Sequence, residues 1–187
     1  REEHLSLEQE AVAKMERISN ARFIPIKYTT EGAACTVLLA RPALDSGSPL
    51  IIANCDQIVD FDVNGFIHDA KARNLDGSIL VFRDEQRNPK WSFAAVDEHG
   101  LVTRVKEKEA ISELATVGIY YFREANEFFW GSLDMIANND RTNGEFYVCP
   151  VYNYMIKAGR RVGVYEISQE KMHGIGTPED LNAYMAS

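Results

Sequence analysis

The order of elements along this 187-residue chain predicts an α/β domain: a mostly parallel sheet with flanking helices and one antiparallel hairpin excursion. Three observations carry that expectation. Two short apolar runs, Leu50–Ala53 and Ile79–Phe82, lack strict alternation, as expected of strands buried on both faces of a parallel sheet. A helical stretch over Val63 to Arg73 separates them. Between Trp91 and Phe122 the texture changes: Ser92–Val96 and Leu101–Val105, joined by the turn Asp97-Glu98-His99-Gly100, read as a hairpin.

The other elements follow in chain order. Ser6-Leu7-Glu8-Gln9 has the form of a capping box, and Leu7, Val12, Met15 and Ile18 suit an amphipathic helix over 6–19. Arg22 to Ile26 is a short β-type run. Gly32 opens a helical stretch through Thr36, Val37, Leu38 and Leu39 that Pro42 should end. The run Leu50–Ala53 stops abruptly at Asn54-Cys55-Asp56, so Asp56 stands at a strand's C-terminal end. Helices over 123–137 and 145–158, the latter closed by Gly159, lead to a strand at Val162–Ile167 and a last helix begun at Thr177-Pro178. No repeat or low-complexity linker divides the chain, which reads as one domain over 1–187.

Composition narrows the partners. Hydrophobic residues at 45% and charged residues at 26% are those of an ordinary folded domain. A net charge of -8, with acids and bases interleaved, repels a nucleic-acid backbone, so no nucleic-acid polymer is expected as a partner. An anionic nucleotide can still bind where Lys, Arg and backbone N–H groups cluster locally. Cys35, Cys55 and Cys149 form neither a disulfide framework nor a zinc motif, which fits a reducing cytoplasm. No apolar run is long enough to cross a bilayer and no signal-peptide pattern opens the chain, so a cytoplasmic protein without a membrane partner is expected.

Ligands of open α/β sheets collect outside the carboxyl ends of the strands, which makes Asp56 a candidate metal or substrate ligand; the alternative is an acid that caps a turn. Several further motifs occur in a fixed order. They are Thr30-Glu31-Gly32-Ala33-Ala34-Cys35-Thr36, Asn54-Cys55-Asp56-Gln57, Trp91-Ser92-Phe93-Ala94, Glu107-Lys108-Glu109, Ala115-Thr116-Val117-Gly118-Ile119-Tyr120, Gly144-Glu145 and Gly176-Thr177-Pro178-Glu179-Asp180-Leu181. Each is weak alone. Together they resemble the sugar-nucleotidyltransferase (nucleoside-triphosphate transferase) family across nearly the whole chain. Through W-S-F-A and K-E-A-I-S-E-L-A-T-V-G-I-Y-Y-F the chain is most similar to members associated with capsule and surface-glycan synthesis.

The resemblance implies a Rossmann-like fold of the nucleotide-diphospho-sugar transferase type. It implies an enzyme that joins a nucleoside triphosphate to a sugar 1-phosphate or similar phosphorylated acceptor and releases pyrophosphate, with Mg²⁺ as cofactor and Mn²⁺ as its substitute. Carried over residue by residue, Gly32 and Ala33 meet the nucleobase, Asp56 holds the metal and the nucleotide, and Gly118, Glu107, Lys108 and Glu145 receive the acceptor. Asp56 and Lys108 are the catalytic candidates, Lys108 by neutralising phosphate charge. A homo-oligomer is compatible with this pattern.

The chain also departs from the family pattern. Cys55 stands where relatives have Gly or Ser, Glu109 where they have Pro, and Gly174 where they carry an acid two residues before the final G-T. One carboxylate can suffice, because Mg²⁺ keeps several waters and takes phosphate oxygens. The triphosphate-holding G-x-G-x-R loop and the P-K that follows it have no counterpart. Arg1-Glu2-Glu3-His4 resembles the end of the family's second strand, so roughly sixty residues, about two βα units, are expected upstream. The 187 residues alone are expected to be inactive.

Each candidate has a purely structural alternative. For Lys108 it is a solvated strand-end lysine, for Glu145 a first-turn helix acid, and for Gly32 and Ala33 a plain helix start. Thr177 and Asp180 read as N-cap and N3 of the last helix, and His173 as a structural histidine. Trp91 and Trp130 read as core or cleft wall. Two other functions compete: Asp60-Phe61-Asp62 resembles the D-x-D of metal-dependent glycosyltransferases, and Gly174 with the missing loop suits a non-catalytic module that binds a nucleotide sugar.

Overall fold

The computed structural model describes residues 1–186. Six strands form one sheet: β1 (Leu50–Ala53), β3 (Gly77–Arg83), β4 (Ser92–Val96), β5 (Val102–Glu107), β6 (Leu114–Phe122) and β7 (Val162–Ile167). β1, β3, β4 and β7 point one way and β5 and β6 the other, with β3 and β7 forming the parallel ladder. A two-stranded ribbon stands apart from the sheet, pairing β2 (Gln57–Val59) with β8 (Met172–Gly174).

Two apolar cores cover the two faces. One packs Ile79, Val81, Tyr120 and Phe122 under α3 (Ala33–Leu38), α5 (Ala125–Ala137) and α6 (Val151–Lys157). The other packs Leu80, Phe82, Ile119 and Tyr121 under α4 (Val63–Ala72) through Phe66 and Ala70. Every residue of β6 is buried and β3 is buried except at Arg83, which is the burial expected where helices cover both faces of a sheet. The last helix, α7 (Pro178–Met185), starts as the sequence indicates: Thr177 is its N-cap, its hydroxyl accepting from the Asp180 N–H at 3.1 Å, with Pro178 in the first turn.

Several expectations are corrected. The helix over 6–19 is two helices, α1 (Glu2–Leu7) and α2 (Gln9–Ser19), broken at Glu8. Ser6 does not cap it, because its hydroxyl donates back to the Glu2 carbonyl at 3.2 Å. Arg1 to His4 is therefore not a strand end, since Glu2 onward is helical. Arg22–Ile26 forms no strand: among the described residues no neighbouring strand pairs with it, and Pro25 brings no N–H.

β1 is not buried on both faces; Ile52 is buried while Ile51 is 38% exposed, and among the described residues it pairs on one side only, with β6. The helix expected over 145–158 begins at Val151. Before it, Thr142 and Glu145 exchange backbone hydrogen bonds and the Phe146 N–H donates to Glu31 at 2.8 Å, while Pro150 disfavours helix in the residue ahead of it. Trp130 is neither core nor cleft wall, being 58% exposed on α5.

Candidate active site

β3 pairs along one edge of β6, and the opposite edge is shared by two strands. β4 meets it at Ala115 and β1 meets it from Ile119 onward. A cleft of about 570 Å³ opens in the gap between them, along Thr116 to Gly118. At the same place the β3–β6 register slips between Ile79 and Val81, and Gly118 has φ +82. A register slip of this kind bends the strand locally. The positive φ of Gly118 is what favours glycine there, and a β-carbon would also lie 2.6 Å from Nδ2 of Asn54.

Asp56 lies just past the end of β1, exposed and on the cleft lining. Its carbonyl accepts from the Ile175 N–H at 2.9 Å, tying it to the strand-end loop that holds Gly174 and Gly176. Those two glycines line the same wall. Gly174 faces Gln57 across the β2–β8 ribbon, and a β-carbon added at Gly174 would meet nothing within 4 Å. Among the described residues no group of three or more His, Cys, Asp or Glu side chains is arranged to hold a metal. Asp56 still fits a hard divalent cation that keeps its waters and takes its remaining ligands from phosphate oxygens. Among the described residues the lining carries Asp56, Glu107 and Asp180 against Lys90 alone, so it is net acidic, a setting that suits a bound cation.

On the opposite wall, Glu107 ends β5 directly across from Ser92, the first residue of β4. The Ser92 hydroxyl donates to Oε2 of Glu107. Burial pushes the Glu107 carboxyl above its ordinary range, and the Ser92 hydroxyl and the Lys108 charge oppose that shift. Lys108 follows with φ +55, an uncommon conformation for a non-glycine residue. Its N–H donates to the Trp91 carbonyl at 3.1 Å, and its ammonium donates to the Tyr147 hydroxyl at 3.0 Å. That hydrogen bond, first among several influences, raises the lysine's pKa above its ordinary value, so it is cationic at neutral pH.

The candidates from sequence thus fall into three sets. Ala33, Asp56, Glu107 and Gly118 line the cleft. Lys108 and Glu145 are outside the lining, although Glu145 acts electrostatically on both Glu107 and Lys108. Glu145 is not a first-turn helix acid, since α6 begins only at Val151. Gly32, with φ +130, packs against the Phe146 backbone, where a β-carbon would collide with the carbonyl oxygen. Its close approach is to protein rather than to the cleft. Asp180, Asn54, Gln57, Ser92, Tyr120 and Cys149 also line the cleft; all but Cys149 lie within the motifs of the family resemblance, but the sequence singles out none of them as a site residue. Trp91 is a cleft wall, edge-on to Phe82 at 5.4 Å, and the His173 ring packs on Tyr184 at 5.2 Å. Asp60 and Asp62 are off the lining, and Asp62 is occupied as the N-cap of α4, accepting from Asn64 N–H at 3.0 Å.

A mixed sheet covered by helices, with a polar cleft at a strand end and an acid at its lip, is the arrangement in which α/β domains place their ligand sites. The nucleotidyl transferase family model matches residues 3–181, and the chain belongs to that family. The nucleoside-diphosphate-sugar pyrophosphorylase of Vibrio cholerae RC9 has the same fold, with TM-score 0.78 and 24% identity over 97% of this chain and 78% of that one. The inositol-1-phosphate CTP transferase of T. maritima superposes with TM-score 0.64 at 14% identity, over 94% of this chain and 69% of that one. The mannose-1-phosphate guanylyltransferase catalytic subunit beta of Dictyostelium discoideum is 28% identical over 105 residues, 53% of this chain and 29% of that protein. The chain therefore spans less than a third of that relative's length. No helix among the described residues is long and apolar enough to cross a membrane.

Proposed function

We propose that the protein is a nucleotidyltransferase: an oxygen of a phosphorylated acceptor, a sugar 1-phosphate in the first instance, attacks the α-phosphorus of a nucleoside triphosphate and pyrophosphate leaves. The observation that carries this reading is the division of the cleft. An exposed strand-end carboxylate, Asp56, stands on one wall and a partly buried carboxylate, Glu107, on the other, with the cationic Lys108 next in the chain just outside the lining. Names of relatives that transfer nucleotides to sugar or inositol phosphates point the same way.

In this reading Asp56 holds Mg²⁺, or Mn²⁺ in its place, which neutralises phosphate oxygens when bound. Ala33 lies where a base can approach the start of α3, Glu107 and Gly118 orient the acceptor, and Lys108 meets its phosphate with Glu145 nearby. The product would feed surface-glycan synthesis, the setting of the relatives it resembles in W-S-F-A. The sequence holds no G-x-G-x-R loop to cradle a triphosphate, so these 187 residues by themselves are expected to release no pyrophosphate.

The test is a pyrophosphate-release screen of the complete gene product with four nucleoside triphosphates against sugar 1-phosphates and other phosphomonoesters, with Mg²⁺ and Mn²⁺. Turnover of one pair, lost in Asp56→Asn with little change in melting temperature, is the expected result. Binding of a nucleotide sugar without any turnover would instead favour a non-catalytic module, and release of a free nucleoside diphosphate from a nucleotide sugar would favour a glycosyltransferase.

A further inference from the structure

Behind Glu107 lies a polar wall that the reaction as described does not use. Ser92, Thr116, Tyr120 and Cys149 all line the cleft, yet they are only 7%, 4%, 5% and 1% exposed. Three segments supply them: the start of β4, the middle of β6 and the turn before α6. The Thr116 and Tyr120 hydroxyls lie within hydrogen-bonding distance, 3.3 Å apart. Ser92 in turn donates to Oε2 of Glu107.

The pairing is a consequence of the sheet. Ser92 and Glu107 are directly opposite in the β4–β5 ladder, so their side chains share one face and lie within mutual reach. The Ser92 hydroxyl has one proton, and it is committed to the carboxylate. Oε2 already accepts from Ser92, whereas Oε1 has no partner among the described residues, so Oε1 is the oxygen more open to a ligand. A carboxylate with both oxygens free clamps two neighbouring hydroxyls, as it clamps two N–H groups. One whose Oε2 is already engaged offers a ligand a single fully free oxygen.

We propose that Ser92 is a positioning residue of the acceptor subsite, holding Glu107 through Oε2 so that Oε1 alone meets one acceptor hydroxyl, and that this selects acceptors read there by a single hydroxyl rather than a vicinal pair. The inference rests on the nucleotidyltransferase reading for the identity of the acceptor. Ser92 itself touches the carboxylate and acts through it. Thr116, Tyr120 and Cys149, all buried, line the same cleft as the pair.

Two measurements on the complete gene product test this. The first needs no turnover: a carbon-13 titration of the Glu107 carboxyl in wild type, Ser92→Ala and Ser92→Thr. Ser92→Ala should move its titration to higher pH and Ser92→Thr, which keeps the hydroxyl, should not. The same signal should shift when glucose 1-phosphate or mannose 1-phosphate is added. The second compares kinetics with these acceptors and their monodeoxy analogues.

In wild type, removing one ring hydroxyl should raise KM about tenfold, the scale of one hydrogen bond to a charged group, and removing its neighbour should not. Ser92→Ala should raise acceptor KM by about the same factor with kcat changed less, and Ser92→Thr should restore it. An unchanged Glu107 titration in Ser92→Ala, or a wild-type KM equally sensitive to two adjacent hydroxyls, would overturn the proposal. A Glu107 signal blind to every acceptor would do so too. If no acceptor is turned over but the Glu107 signal responds to one, the nucleotidyltransferase reading falls and the Ser92–Glu107 assignment stands.

Discussion

A β-carbon placed on Gly176 would lie 2.9 Å from Oδ2 of Asp56. The carboxylate thus rests against a glycine backbone, with the Ile175 N–H holding the Asp56 carbonyl from the same loop. Gly176→Ala leaves the backbone undisturbed, because the clash is with the far end of one exposed side chain, but it turns the carboxylate away from its present direction. A displacement on the order of 1 Å in a reacting group costs about a hundredfold in rate. The expected outcome is a large drop in pyrophosphate release with a melting temperature close to wild type, and a variant with unaltered turnover would show that the Asp56 direction is immaterial.

Gly174 offers the converse change. It lies outside the left-handed φ region and has open space where a side chain would go, so Gly174→Asp should fold normally. It restores an acid opposite Gln57, on the wall that carries Asp56. Adding one charged oxygen ligand should tighten Mg²⁺ or Mn²⁺ binding on the order of tenfold. Isothermal titration of the metal into both forms measures this, and equal affinities would place the metal away from this wall.

Glu107 makes stability depend on pH in a defined direction. Burial raises its folded-state pKa above the ordinary value of 4.5, so the protonated form is the one the fold favours. The stabilisation is fully present below 4.5 and is lost as pH rises through the folded-state value. Glu107→Gln removes that loss. The variant should melt higher than wild type at neutral pH, with the gap shrinking as pH falls toward 4.5, and should lose acceptor affinity. Parallel melting curves from pH 4 to 8 decide it; a constant gap across the series contradicts the burial argument.

Lys108 contacts Tyr147 and is otherwise exposed, so Lys108→Ala should leave folding intact. If its charge meets the acceptor phosphate, the substitution removes about 2–4 kcal/mol of transition-state stabilisation. The measurement is kcat/KM for the acceptor. Near wild-type kinetics at both limiting and saturating acceptor would return Lys108 to the solvated surface.

The amino-acid sequence alone determined the class of fold, the hairpin of β4 and β5, the cap of α7 and the strand-end position of Asp56, because each depends on contacts within a few residues. Turn residues, periodicity and capping act locally, and β3 and β7 needed only their own apolar content. Tertiary structure decided what depends on distant partners. Arg22–Ile26 has β-type residues and no strand beside it, so it stays irregular. β1 looked buried on both faces, yet pairing on one side among the described residues leaves Ile51 half-exposed. The helix expected over 145–158 leaves out residues 145–150, where Phe146 bonds across to Glu31, 115 positions earlier in the chain, and Phe, Tyr, Val, Cys and Pro favour a helix weakly. The cleft follows the same rule. Asp56 was legible from its place after an apolar run, whereas Ser92, Tyr120 and Cys149 acquire meaning only when β4, β6 and the turn before α6 close around Glu107. A hydrogen bond between residues far apart in sequence leaves no periodicity for a sequence pattern to show.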